Sequence, residues 1–249
     1  MAATIMKVDP NLPFEVGQEA EAKSFLEGYR GAWFRCKIID CGQRGGEPAV
    51  ALDYLDYDDY KKSWVQVYLS PDEEHNDYNK RHLMLRPSYP QIYHRSQMPG
   101  VREISEMVGI VDGSWEVGDL VDWFKDGCYW SGCITEVIDD ENVQIQFPKP
   151  PMGEGDTHKV FCKDLRPTLD WNPEVGWIAP IFKAGKALRR CVRLIHPMGP
   201  GEVRNDAVGS RVRPSQVSLT IKRNLKFLSP LLLLIDKEKS EKDNQESKT

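Results

Sequence analysis

The sequence predicts an all-β protein: two copies of one small, strand-rich unit, followed by a basic C-terminal extension. Two observations carry this. The first is an aromatic hairpin over residues 31–60, and the second is the recurrence of the same ordered strand signals about a hundred residues later. In the hairpin, Trp33 and Phe34 precede a β-rich run (Cys36, Ile38, Ile39), and the turn CGQRGGEP supplies glycines and a proline. The returning strand ends in Tyr54, Tyr57 and Tyr60, interleaved with Asp53, Asp56, Asp58 and Asp59. Aromatic faces beside carboxylates, with no nucleophile nearby, suit capture of a soft cation, each ring contributing roughly 0.5–2 kcal/mol. The plainer alternative is that these tyrosines pack a small barrel, since strands readily take aromatics.

In chain order, residues 1–13 form a polar, proline-containing lead-in expected to be mobile. Residues 14–18 (FEVGQ) open a strand that continues through Ala20 and Ala22 to Phe25, and residues 26–30 form a loop. After the hairpin, residues 62–69 alternate as a strand does. A polar insertion (PDEEHNDYNKRH) follows, and LMLRP closes the unit at about residue 90. Residues 91–114 read as a linker with a short helical tendency at 101–108. The second unit, 115–170, repeats the order. WEVGD matches FEVGQ, GCYW followed by Cys133 and Ile134 matches GAWF followed by Lys37 and Ile38, VQIQF matches VALDY, and the second LRP matches the first. Residues 171–229 form the basic extension, opening with Trp171 and Trp177 as a packed exit from the second unit, and 230–249 have the composition of a disordered tail.

Charge is divided along the chain. The net value is −5, yet the first unit (residues 14–90) holds 14 acidic and 10 basic side chains, and the second (115–170) holds 12 and 5. Residues 171–249 reverse the sign, with 15 basic and 8 acidic. Acidic units repel nucleic-acid phosphates and attract a basic peptide. The basic region, including RVRPSQVSLTIKRNLKF, has the opposite preference and suits RNA, DNA or nuclear import. The N-terminus lacks the apolar core of a signal peptide, and the apolar run 231–235 is far too short to span a membrane, so no membrane partner is expected. Six scattered cysteines fit a reducing compartment. The pairs Cys36/Cys41 and Cys128/Cys133 lack metal-site spacing and nearby histidines, so buried thiols are expected, with no metal and no cofactor.

A VG entry strand, a G-x-aromatic-aromatic hairpin, a V-x-Y/F-type strand and a closing LRP, all present twice, resemble the Agenet domain. This is a plant-enriched branch of the Tudor-like "royal" domains, and the resemblance covers a little over half the chain. It implies two small Tudor-like antiparallel β-barrels in tandem, packed on each other. It also implies recognition of methylated lysine or arginine in histone tails or, in some members, of RNA or protein partners. On the matching positions, cage roles fall on Tyr54, Tyr57 and Asp59, with Trp33 or Phe34 from the hairpin and Phe25 or Tyr29 from the first loop. Trp33 and Phe34 point to opposite strand faces, so one lines the cage and the other packs. A second cage would use Trp123, Trp130 and Phe147, but PKPPMGEGD follows Phe147 where a second tyrosine is wanted, which suits a brace for the first unit.

Three function classes follow: a nuclear chromatin reader of a methylated histone tail that also meets other chromatin proteins, an RNA-binding module, and a protein-interaction scaffold. An enzyme is not expected. No phosphate loop or nucleophile elbow is present, and His75, His82, His94, His158 and His196 lack partner patterns.

Overall fold

The computed structural model describes residues 12–57, 62–70, 81–100, 103–184 and 187–197. Asp58, Asp59, Tyr60, most of the polar insertion, the RVRPSQVSLTIKRNLKF stretch and the tail lie outside them. The described residues contain no α-helix, and all but one of the strand pairings are antiparallel.

The first unit comprises β1 (Glu19–Lys23), β2 (Ala32–Arg44), β3 (Glu47–Tyr54), β4 (Ser63–Gln66), β5 (Tyr68–Leu69), β6 (His82–Leu83) and β7 (Leu85–Pro87). They run in the spatial order β7-β1-β2-β3-β4, and β5 pairs with β6. The inward face of β2, at Cys36, Ile38 and Cys41, packs on Val50, Leu52, Phe14 and Leu85 to form the core. Two strands follow, β8 (Ile92–His94) and β9 (Val108–Val111). The second unit comprises β10 (Leu120–Lys125), β11 (Cys128–Val137), β12 (Asn142–Gln146), β13 (Thr157–Phe161) and β14 (Leu165–Pro167), in the order β14-β10-β11-β12-β13. Its core gathers Val121, Ile134, Val143, Ile145 and Val160.

The repeat holds down to single hydrogen bonds. Gly17 N–H donates to the Ile38 carbonyl and Gly118 N–H to that of Ile134, both at 2.7 Å. Ile38 N–H returns to Gln18 and Ile134 N–H to Asp119, both at 2.9 Å. A register shift interrupts β2/β3 between Ile38 and Asp40, and β11/β12 between Ile134 and Glu136. One extra residue at the same place bends both long strands, as a bulge does. Beyond that bend, each long strand uses its free edge on the other unit. Trp33 pairs with Tyr129 and Ala32 with Trp130. Because Trp33 and Tyr129 are equivalent in the repeat, the units meet about a local pseudo-twofold axis.

Four buried charges sit beside that axis. Glu21 on β1 and Asp122 on β10 are equivalent, as are Arg86 on β7 and Arg166 on β14. Arg86 Nη2 lies 2.7 Å from Glu21 and 3.0 Å from Asp122. Arg166 lies 2.8 Å from Glu21 and 3.3 Å from Asp122. Each guanidinium also stacks on a ring of the central strand pair, Arg86 on Trp33 at 3.8 Å and Arg166 on Tyr129 at 3.4 Å. Burial alone would raise the Asp122 pKa. Arg86 and Arg166, with hydrogen bonds from Ser131 and Thr168, hold it below the usual carboxylate range.

Several local expectations change. Residues 14–18 form a turn, with Gln18 N–H bonded to the Glu15 carbonyl, and the strand starts at Glu19. The strand expected over 62–69 breaks at Val67, which leaves β4 to bond Pro48 and Met84. The helical tendency at 101–108 yields no α-helix among the described residues, and Val108 opens β9, buried throughout. β9 lies between β8 and β17 (Arg193–Ile195), so segments from the expected linker and extension share one sheet. The hairpin of β15 (Asp170–Asn172) and β16 (Gly176–Ile178) packs on the first unit as well as leaving the second, because Trp171 meets Phe14 at 5.3 Å.

Replacing Arg86 by Met leaves Glu21 and Asp122 buried with one guanidinium between them. Breaking a buried pair in this way costs about 3–5 kcal/mol. Urea unfolding of Arg86→Met should show a loss of that order with an unchanged slope.

Candidate aromatic binding site

A cavity of about 430 Å³ opens in the first unit. Phe34 stands at its aromatic end, with ring centroids 5.6 Å from Tyr29, 5.8 Å from Tyr54 and 5.7 Å from Tyr57. Strand alternation explains the set. Phe34 shares the inward face of β2 with Cys36 and Ile38, and Cys36 pairs with Tyr54 across the ladder. Opposite Phe34 on β1 stands Ala22, too small to fill the space its rings enclose. Phe25, Leu26, Trp64, Leu69 and Met84 extend the lining.

Trp33 faces the other way. Its ring lies under the Arg86 guanidinium and near Lys23 Nζ, so it serves the charge cluster and does not line the cavity. Phe34, Tyr54 and Tyr57 do line it, together with both loop candidates, Phe25 and Tyr29. Asp59 lies outside the described residues, and Asp56 is bound to Arg35 (2.9 Å from Nε). No carboxylate belongs to the described lining. Trp64 and Met84 were not singled out in the sequence; alternation sets Trp64 on the face opposite the core residue Val65, where Arg44 lies over its ring at 3.7 Å, so no local signal marks it as lining.

The walls are held from the second unit. The Tyr57 hydroxyl donates to the Asp126 carbonyl in the β10–β11 turn, and burial pushes its pKa up, keeping it a donor. A Cβ on Gly127 would stand 3.2 Å from the Tyr57 ring. Tyr29 stacks on Trp130 at 6.1 Å. Its neighbour Arg30 bonds Glu154 through both backbone and guanidinium, at 2.8 and 3.1 Å. Gly31, at φ 82°, passes so close to the second unit that a Cβ would lie 2.5 Å from the Met152 carbonyl. The PKPPMGEGD loop therefore braces the first unit's loop, and the 55–57 segment of the first unit reaches the equivalent turn of the second.

Trp123, Trp130 and Phe147 do come together. Phe147 lies 5.6 Å from Trp130 and 6.3 Å from Trp123, and the His158 ring meets both Trp123 (5.3 Å) and Phe147 (5.1 Å) at tilted angles. Yet Trp123 occupies the position equivalent to Ala22, pairing with Trp130 as Ala22 pairs with Phe34. An indole thus stands where the first unit has only the Ala22 methyl, and Phe147 is buried.

The remaining chemistry is quiet. Burial lifts the thiol pKa of Cys36 and Cys133 to about 12 and that of Cys128 to about 11, which makes them poor nucleophiles. At the cavity border, burial and the Arg86 charge lower Lys23 to about 8, and burial with Lys23 beside it lowers His82 to about 4.

The Agenet domain family model matches residues 17–90. The match spans the first unit, which is similar to an Agenet domain, and the turn, bulge and register shared with residues 115–167 make the second unit a repeat of the first. Over 92 residues the chain is 32% identical to DUF724 domain-containing protein 10 of Arabidopsis thaliana; the match takes in 35% of this chain but only 16% of that protein. Two crystal structures are also similar. Arabidopsis thaliana AGDP1 AGD34 matches at 19% identity and TM-score 0.41, over 66% of this chain and 88% of its own. ADCP1 tandem Agenet domain 3-4 matches at 17% and 0.40, over 66% and 86%.

Two outcomes follow. Gly31→Ala combines a left-handed backbone with the Met152 clash, and should destabilise the protein by more than about 1 kcal/mol in thermal or urea unfolding. Lys23 is harder to protonate folded than unfolded, so its charge opposes folding below about pH 8. Unfolded chains bind more protons between that value and the ordinary lysine pKa, so stability relative to Lys23→Met should rise with pH across this window. A flat difference between pH 7 and 10.5 would remove Lys23 from the buried set.

Proposed function

We propose that the chain is a non-catalytic chromatin reader that binds a methylated lysine or arginine of a histone tail in the nucleus, through the chamber of the first unit. The observation that carries this is the set Tyr29, Phe34, Tyr54 and Tyr57 around one open cavity. A methylated ammonium is large and weakly hydrated, so ring faces replace its water at little cost, and several rings together reach the micromolar range, about −8 kcal/mol. The acidic surface of both units favours approach of a basic tail. A described lining of rings without a carboxylate suits the more methylated states, which carry fewer N–H donors. In the second unit Trp123 stands at the position equivalent to Ala22, and that unit acts as the brace.

Calorimetric titration with methylated and unmethylated histone peptides tests this. The expected result is methyl-dependent binding at one site per chain, weakened more than tenfold by Tyr54→Ala and little changed by Phe161→Ala on the far edge of the second unit. Affinity indifferent to methylation, with salt-sensitive retention of an RNA pool, would replace this reading by the RNA-binding one.

A further inference from the structure

The cavity is larger than its aromatic end requires. A trimethylammonium head has four heavy atoms, and at the roughly 30 Å³ share of a water each they occupy on the order of 120 Å³. That is about a quarter of the 430 Å³ enclosed. Besides the four rings, the same cavity is lined by Phe25, Val65, Leu69 and Met84, with Lys23, Gln66 and Ser70 in its polar lining. Leu26, 70% exposed, stands at its border. These side chains come from the β1–β2 loop, β4, β5 and the residue before β7, so this part of the lining is built by several elements at once.

Resting on the reader function proposed above, we infer that this part of the lining forms a second subsite, which takes an apolar side chain of the same peptide two residues from the methylated one. An extended peptide places residues i and i+2 on one face about 6.6–6.8 Å apart, so two such side chains can enter one cavity of this volume together. Both subsites belong to one cavity, and this part of the lining offers aliphatic and thioether surface with no carboxylate to hold a second cation. Burying a leucine there removes apolar area from water, which corresponds to about a tenfold gain in affinity when the burial is substantial. The subsite sets sequence preference, and the aromatic end sets methyl dependence.

The test is a peptide series with one trimethyl-lysine in a Gly/Ser/Lys background and a single leucine scanned from four residues before to four residues after it. The full chain is titrated with each peptide by fluorescence anisotropy. Leucine at one offset of two residues should bind about five- to tenfold more tightly than alanine there. Leu69→Ala should abolish that difference and keep the preference for the methylated peptide, whereas Tyr54→Ala should lose methyl dependence. Equal affinity for leucine and alanine at every offset, with methyl dependence intact, would overturn the subsite alone. Absence of methyl-dependent binding across the series would overturn the reader function and the subsite with it. A fold check of Leu69→Ala by thermal unfolding separates a lost subsite from a lost domain.

Discussion

The cluster of Glu21, Asp122, Arg86 and Arg166 is the constraint on which the arrangement of the two units depends. Isolated, each of these buried groups would cost several kcal/mol, and the cluster closes only when both units supply their half. Each guanidinium bonds a carboxylate from either unit, so neither unit is satisfied without the other. The stacking of Arg86 on Trp33 and Arg166 on Tyr129 ties the same charges to the two residues at which β2 and β11 pair. Such a cluster adds little net stability over an apolar one, but it penalises any other docking of the two sheets, because another register strands charge. The cluster thus acts on geometry more than on affinity between units.

Geometry matters because the aromatic cavity of the first unit is not held within one unit alone. The Tyr57 hydroxyl is anchored on Asp126, Tyr29 stacks on Trp130, and the loop carrying Tyr29 is held by Glu154 and the close passage of Gly31 beside Met152. By the pseudo-twofold, each unit sends the segment after its returning strand across to the other's first loop. One exchange positions a tyrosine of the chamber and the other, through PKPPMGEGD, supplies a brace. The docking is symmetric, but the two units differ at the matching position, where one has Ala22 and the other Trp123.

Much of this was legible in the residues. The repeat, the aromatic hairpin and the alignment that makes Phe147 the counterpart of Tyr54 are visible as sequence, and the register of β2/β3 against β11/β12 agrees with them. The placement of Phe34 on the face of Cys36 and Ile38 follows from alternation. What was not legible depends on contacts across the repeat. Extending the FEVGQ and WEVGD match by a few residues sets Glu21 against Asp122 and Ala22 against Trp123, yet nothing in one strand says that its carboxylate meets an arginine of the other unit's LRP. The fate of Trp33 belongs to the same class, since alternation places it opposite Phe34 but cannot supply Arg86 beneath which it lies. The strand break at Val67 and the merging of β8, β9 and β17 into one sheet likewise arise from long-range pairing that local propensity does not encode.

The brace also bears on how tightly the chamber can bind. Aromatic walls gain from a cation only what remains after the rings are ordered, and ordering a side chain costs up to about 1.5 kcal/mol. Here the cost for Tyr57 and Tyr29 is met on folding, through Asp126 and Trp130, before any ligand arrives. Tyr29 is still 44% exposed, so the anchoring fixes its ring without closing the mouth. Under the function proposed for it, the chamber's affinity for a small cation therefore depends on residues that never touch the ligand, and most of those lie in the second unit.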